Sequence, residues 1–398
     1  MSDIQLKELT FSQYKRFHGN ETLEIKPVTI LVGKNSSGKS SITKLIPIIS
    51  KSMSGLLKNS IIQLDVEGIS LGVSYQSLCN NGNSIGLAFG VNYSNNIGIS
   101  LELISNPKGE IKINTYSVTI NGEIHKLSLS SDRTNYIYNL DGSIYLASDF
   151  SGFIHTKFLK DLNVDFDFSL NVDYIGPLRS ETNRIYYYKG AELSDHVGSK
   201  GENAYQLMCS DEQLTKNISN WFEENFNKCR LQVVEGSEKG SYIIQMNKPS
   251  NCDFWVNIAD EGMGMSQLLP IVIRCMHPVH NSIVVIEQPE LHLHPAAHEN
   301  IAKLFAQTCK QNNQRYIVET HSENILLGLR DAVVDPNIDF TPDDIVIYFV
   351  DDDEYGAYLE KITINNEGVL SSWPEGVFNE SFEILKKIKS KVSKENEV

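Results

Sequence analysis

Along the first fifty residues the apolar positions fall into three short runs and then switch to helical spacing. Ile4 to Phe11, Thr22 to Ile25 and Val28 to Val32 read as strands, and a Gly/Ser-rich turn leads into a helix after Lys39. Between residues 60 and 150 apolar and polar residues alternate in stretches broken by Asn81-Gly82, Asn121-Gly122 and Asp141-Gly142. Such pairs tolerate the positive φ of tight hairpin turns, so this region predicts an antiparallel β-layer. Asp173-Tyr-Ile-Gly-Pro-Leu-Arg179 ends the layer, and Ala204 to Phe226 returns to helical spacing around Trp221 and Phe222. A smaller second lobe is expected there.

From Ile271 the pattern changes again: a helix, the strand Ser282 to Ile286, a helix from Ala296 to Gln311, the strand Tyr316 to Glu319 and a helix from Glu323. Strands that alternate with helices predict a parallel sheet covered on both faces, rejoining the N-terminal turn in one α/β core. The expected fold class is α/β, a mixed sheet with an antiparallel β-layer and a smaller second lobe. The division expected is residues 1–180 for the N-terminal part of the first lobe, 181–279 for the second lobe and 280–398 for the remainder of the first. No heptad repeat is present, which argues against a long coiled-coil arm.

Composition narrows the function classes. With 398 residues, 41% hydrophobic and 21% charged, the chain is globular rather than disordered. No run of about 18 uncharged apolar residues occurs and no basic, then apolar, leader opens the chain, so a cytoplasmic protein without a membrane partner is expected. Fifty acidic against 35 basic residues give a net charge of −15, which opposes nonspecific binding to nucleic acid but leaves room for a local DNA-binding groove. The basic run from Leu385 to Lys394 reads as a solvated helical tail. Six scattered cysteines, with no C-x-x-C pair, predict reduced buried thiols.

The chemistry concentrates in three places. Gly33-Lys-Asn35-Ser36-Ser37-Gly38-Lys39-Ser40 fits G-x-x-x-x-G-K-[ST], follows an apolar strand and opens a helix, as a phosphate loop must. Its glycines let backbone N–H groups turn towards phosphate oxygens, Lys39 reaches the β- and γ-phosphates of ATP, and Ser40 ligates Mg²⁺; Ser41 closes the loop. Lys39 is expected to stand exposed. The strand ending Ile286-Glu287-Gln288-Pro-Glu290 offers Glu287 as the metal-side acid. Thr320-His321-Ser322, at the end of the next strand, puts His321 where a γ-phosphate sensor would sit, or where it caps the following helix. His292, His294 and His298 suggest either a metal site or, more simply, a turn and a helix start.

The runs GKNSSGKSS, IEQPELHLHP and ETHSENIL together resemble the RecF/SMC/OLD branch of ABC-type ATPases, and most closely bacterial standalone AAA-family ATPases. Tyr174 to Arg179, Asp260 to Pro270 and the tail Trp373-Pro-Glu-Gly-Val-Phe378 extend that likeness. The resemblance implies an ABC-type P-loop head that sandwiches ATP between two protomers, a homodimer or larger, and a place in defence or genome-maintenance operons beside an effector protein. It puts Gly264, Ser266 and Gln267 in the signature segment that would face the other protomer's phosphate, unless Ser266 is an ordinary helix cap before Leu268. Arg16 resembles a basic residue placed beside the nucleotide in some members; a plain surface arginine is the alternative.

Two departures bear on activity. Where an ABC head ends this strand Asp-Glu, here stand Glu287 and Gln288, and a glutamine orients water without accepting its proton. Slow hydrolysis is expected, or recruitment of Glu290 or a neighbouring histidine as base. No Q-loop glutamine is apparent, and Pro177-Leu-Arg179 occupies its place. Two readings follow: an ATP-hydrolysing dimerisation switch that controls a nuclease or toxin, or a non-hydrolysing ATP-binding sensor. A transporter subunit and a small-molecule kinase are both disfavoured.

Overall fold

The computed structural model describes residues 4–58, 60–82, 86–106, 108–188, 194–226, 228–247 and 254–373. The basic run after Leu385, Cys252 and the tail beyond Trp373 lie outside them. Fourteen of the described strands form one sheet. From one edge they run Ile144–Leu146, Asn135–Tyr138, Glu123–Leu129, Ile111–Ile120, Ile97–Ser105, Ala88–Tyr93, Leu6–Tyr14 and Phe17–Glu24, all antiparallel. The sheet continues through Ala357–Ile362, Ile345–Asp352, Val28–Gly33, Arg315–Glu319 and Ser282–Glu287 to Asn171–Ile175, the last five being mutually parallel. The expected β-layer is therefore continuous with the α/β core. Their seam is one register pair, Phe17 with Ala357.

The parallel strands are apolar throughout because each buries both faces. Val28, Ile30, Val284, Ile286, Tyr316 and Val318 face a core shared with the helices Met263–Met276, Pro295–Thr308 and Glu323–Val334. The intervening Leu31, Ile283, Val285 and Ile317 face the opposite core, where the helix Lys39–Met53 lies between the parallel strands and the antiparallel layer. The smaller lobe packs the helices Ala204–Ser210 and Glu212–Asn225 beside a four-stranded sheet. Asp211 breaks this expected single helix in two: its backbone is extended, and its side chain accepts the Leu214 N–H at 2.9 Å.

Several local expectations are corrected. Asn81-Gly82 does not join two strands but sits in a tight 3₁₀ turn, with Asn81 at φ 49°. Asn121-Gly122 and Asp141-Gly142 do join paired strands. The helix read from Leu268 starts at Met263. Two strands, Ile345–Asp352 and Ala357–Ile362, lie beyond the last expected element. Among the described residues no helix is long and apolar enough to cross a membrane, and no cluster of three or more potential metal ligands forms. His294 instead caps the helix Pro295–Thr308, and His298 shares a 2.7 Å hydrogen bond with Ser322 Oγ. Cys79, Cys275 and Cys309 are buried free thiols, Cys209 is a half-buried one and Cys229 is buried.

A buried ion pair joins the strand Asn171–Ile175 to the helix Met263–Met276. Arg274 is wholly buried; its Nε donates to Asp173 Oδ2 at 2.9 Å, and its remaining nitrogens donate to the His277 carbonyl, Gln314 Oε1 and Ser282 Oγ. Asp173 also accepts the Val197 N–H at 3.0 Å. Removing one partner strands the other charge without water. Arg274→Ala should therefore lower unfolding free energy by about 3–5 kcal/mol, whereas Arg274→Met combined with Asp173→Asn should recover part of that loss. Urea denaturation of the three proteins checks this.

Candidate nucleotide-binding site

The loop between the strand Val28–Gly33 and the helix Lys39–Met53 has the backbone that phosphate binding needs. Gly38 precedes the helix at φ 113°, no side chain caps the helix, and its first turn has no acidic residue. Its leading N–H groups are thus left for an anion. Gly33 must be glycine: at φ 149° a Cβ there would stand 2.2 Å from the Val350 carbonyl oxygen. Ser36 also has positive φ, at 64°. Lys39 is not exposed as expected. It is 3% exposed, and its ammonium donates to the Gly33 and Lys34 carbonyls at 2.9 and 2.6 Å. Burial lowers its pKa, opposed by the Glu319 carboxylate. The lysine holds the loop in shape by contacts that phosphate oxygens would replace.

A cleft of ≈ 390 Å³ opens over this loop, lined by Arg16, Asn35, Ser36, Gly38, Lys39, Ser40, Ser41, Gln288, Glu319 and His321. Most residues singled out from the sequence therefore converge. Glu287 lies deeper: it is 3% exposed, and Oε1 accepts hydrogen bonds from Thr43 Oγ1 at 2.5 Å and the Tyr174 hydroxyl at 2.8 Å. The carboxylate that meets Ser40 is instead Glu319, which accepts its hydroxyl at 2.9 Å. Glu319 escaped the sequence reading although the signal that found Glu287, an acid closing an apolar strand, was present there too. The two acids are register partners on adjacent parallel strands.

Burial, and then the Glu287 charge, push the Glu319 carboxyl up to about 7. Its Oε2 is buried without a hydrogen-bond partner, as is Oε2 of Glu290. Oε1 of Glu290 accepts the His321 N–H at 2.7 Å, and burial raises this carboxyl as well. Partial desolvation and the Lys39 charge lower the pKa of the His321 imidazole. Gln288 faces the cleft with its backbone in the left-handed region at φ 46°, its N–H donating to the Glu319 carbonyl at 2.8 Å. Ser37 is buried, and its hydroxyl has no partner.

Arg179, read only as the occupant of the Q-loop position, is a buried tie. Its guanidinium donates to the carbonyls of Glu287 at 2.6 Å, Gln288 at 3.3 Å and Gln267 at 3.1 Å. Burial lowers its pKa to about 10, so it stays charged at neutral pH. The signature-like residues are not a free turn. Ser266 and Gln267 are buried in the first turns of Met263–Met276; Ser266 Oγ donates to the Met263 carbonyl, and the Gln267 amide pairs with the Arg179 backbone. Gly264 is half-buried against the His292 carbonyl. The exposed residues of this segment are Gly262 and Met263. Arg16, at the rim, donates to the Ser36 carbonyl at 2.5 Å and pairs with Asp352.

A carboxyl whose pKa is raised by folding binds its proton more tightly in the folded state. The stability from Glu319 is then complete below its ordinary value near 4.5 and lost as pH climbs through about 7. Glu319→Gln, which cannot ionise, should stabilise the metal-free, nucleotide-free protein at pH 8 by up to roughly 3 kcal/mol, with little effect at pH 4.5. Thermal melts of both proteins in chelator across this range measure the difference.

Residues 206–326 match the sequence profile of an AAA ATPase domain, and residues 340–388 match that of a protein of unknown function, DUF3696. The first match spans Glu287 to His321 but not the phosphate loop, whose assignment rests on its own pattern and backbone. No curated protein matches the sequence significantly. Similar solved structures include an SMC head bound to the C-winged helix domain of ScpA, at 14% identity and TM-score 0.51 over 90% of this chain and 98% of that one. An SMC head domain with an extended coiled coil, bound to the C-terminal domain of ScpA derived from Pyrococcus furiosus, aligns at 11% identity and TM-score 0.47 over 97% and 100% of the two chains. The SMC head domain from Thermotoga maritima aligns at 13% and 0.42 over 89% and 98%. The fold likeness rests on the first of the three. Residues 206–326 are thus similar to an AAA ATPase domain and residues 340–388 to DUF3696, within a mixed α/β fold that resembles an SMC head.

Proposed function

We propose that this protein binds ATP with Mg²⁺ in the cleft over Gly33–Ser41, hydrolyses it slowly, and uses the bound state to associate with a second copy and control a partner effector. The observation that carries this reading is the convergence of an uncapped helix N-terminus, Lys39, Ser40, Glu319, Gln288 and His321 on one cleft. Lys39 would leave the Gly33 and Lys34 carbonyls for the β- and γ-phosphates. Ser40 and Glu319, whose Oε2 lacks a partner, fit a hard cation that favours oxygen ligands, with Glu287 behind them in an outer shell. Bound there, Mg²⁺ would supply charge neutralisation to the phosphate oxygens. The residues 1–180 and 280–398 would act as one nucleotide lobe and 181–279 as the second.

Gln288 favours slow turnover and keeps the sensor reading in play. It can hold an attacking water by hydrogen bonds but cannot take its proton, and loss of a general base typically removes about 10² to 10⁴ in rate. Gln288→Glu should accelerate hydrolysis, and wild-type turnover should stay below about 10 s⁻¹, the median enzyme value. A phosphate-release assay on both proteins tests this. No turnover in either, with ATP bound, would favour the sensor.

The association surface should involve the exposed start of Met263–Met276 rather than the buried Ser266. Met263, 57% exposed, is the residue to replace. Met263→Arg is expected to abolish an increase in mass that a nonhydrolysable ATP analogue induces in the wild type, while ATP affinity stays within a factor of about 3, less than 1 kcal/mol. Sedimentation velocity with and without the analogue reads the mass, and calorimetry the affinity.

A further inference from the structure

The rim of the cleft is tied to the part of the chain that matches DUF3696. Arg16, which lines the cleft, donates from one guanidinium nitrogen to the Ser36 carbonyl of the phosphate loop and pairs through the other with Asp352. Lys34, in the same loop, pairs with Asp351 at 3.3 Å. Both acids close the strand Ile345–Asp352, just before the turn to Ala357–Ile362. That turn is fitted closely to the arginine's backbone: the Ala357 N–H donates to the Arg16 carbonyl at 2.8 Å, and a Cβ on Gly356 would stand 2.4 Å from that oxygen. Ala357 is also the residue that pairs with Phe17 across the seam of the sheet.

We propose that Asp352 is a built-in competitor for Arg16, a carboxylate latch that ATP phosphate displaces, so that filling the cleft frees the 352–356 turn at the seam between the antiparallel layer and the parallel core. This rests on the reading of the cleft as an ATP site. The chemistry supports exchange. A guanidinium presents the same planar fork to a carboxylate as to a phosphate, and Arg16 stands where it can reach either. The Arg16 and Asp352 side chains are 47% and 37% exposed, so water screens the pair and the latch is weak enough for a triphosphate to outcompete. The seam, with one backbone register pair, depends on side-chain ties nearby: Glu21 Oε2 accepts the Leu359 N–H at 3.0 Å, and Lys361 pairs with Glu24 at 2.5 Å. A change at Arg16 therefore acts where the sheet has fewest main-chain bonds.

The test is a double-mutant cycle on ATP affinity, measured by calorimetry on the full chain. Asp352→Asn should bind ATP roughly two- to five-fold more tightly, the span an exposed ion pair supplies. Arg16→Ala should bind it more weakly, and Asp352→Asn added to Arg16→Ala should give no gain. Glu354→Gln removes the same charge from the same turn without touching Arg16, and should leave affinity unchanged. An equal gain from Glu354→Gln would mean that net charge alone is at work and would overturn the latch. So would unchanged or weaker binding by Asp352→Asn, or a gain that persists without Arg16. If the wild type binds ATP no better than Lys39→Ala, the cleft reading itself fails and the latch with it. Amide exchange of 353–358 provides the second readout: a nonhydrolysable analogue should speed it in the wild type, and slower or unchanged exchange contradicts release of the turn.

Discussion

Two acidic residues, Glu287 and Glu319, end adjacent parallel strands in register and are both buried, and much of the site's architecture answers the cost of burying them side by side. Burial first, and then the like charge of Glu287, disfavour ionisation of Glu319 and push its carboxyl up to about 7. Each acid has its own donors. Thr43 and Tyr174 serve Glu287, while Ser40 and the nearby Lys39 charge serve Glu319. Three of these four come from the helix that begins at the phosphate loop, so the acids and the loop are positioned by one another.

The same arrangement explains why Arg179 is buried. Tyr174 reaches Glu287 from the edge strand Asn171–Ile175, and five residues later the chain delivers a guanidinium to the carbonyls of Glu287, Gln288 and Gln267. One side chain thus links the end of the Glu287 strand, the left-handed Gln288 and the first turns of the helix Met263–Met276. Asp173 and Arg274 make a second buried tie, between the strand Asn171–Ile175 and the same helix.

Opposite this rigid side lies the seam at Phe17 and Ala357, where the antiparallel layer joins the parallel core. Gly38, at the mouth of the loop, packs against Phe17 so closely that a Cβ would lie 3.1 Å from its ring. The cleft is therefore bounded by a firmly tied wall towards Glu287 and by a lightly bonded one towards Asp352. Movement driven from the nucleotide would be expected first on the lightly bonded side, where exposed ion pairs exchange readily.

Local chemistry was legible without the fold. The phosphate loop, the apolar strand before it and the helix after it, the turn pairs Asn121-Gly122 and Asp141-Gly142 and the acid closing Ser282–Glu287 all follow from short-range pattern, because backbone conformation and strand burial are set by neighbouring residues. The strand Ile345–Asp352 is likewise legible in the apolar run Ile345 to Val350. What the sequence could not decide is who meets whom across long separations. That Ser40 binds Glu319 rather than Glu287, that Lys39 folds back onto its own loop, that Ser266 turns inward and that Asp352 reaches Arg16 all depend on strand order and register. Those are outcomes of burying two faces of one sheet at once, and only the tertiary structure settles them.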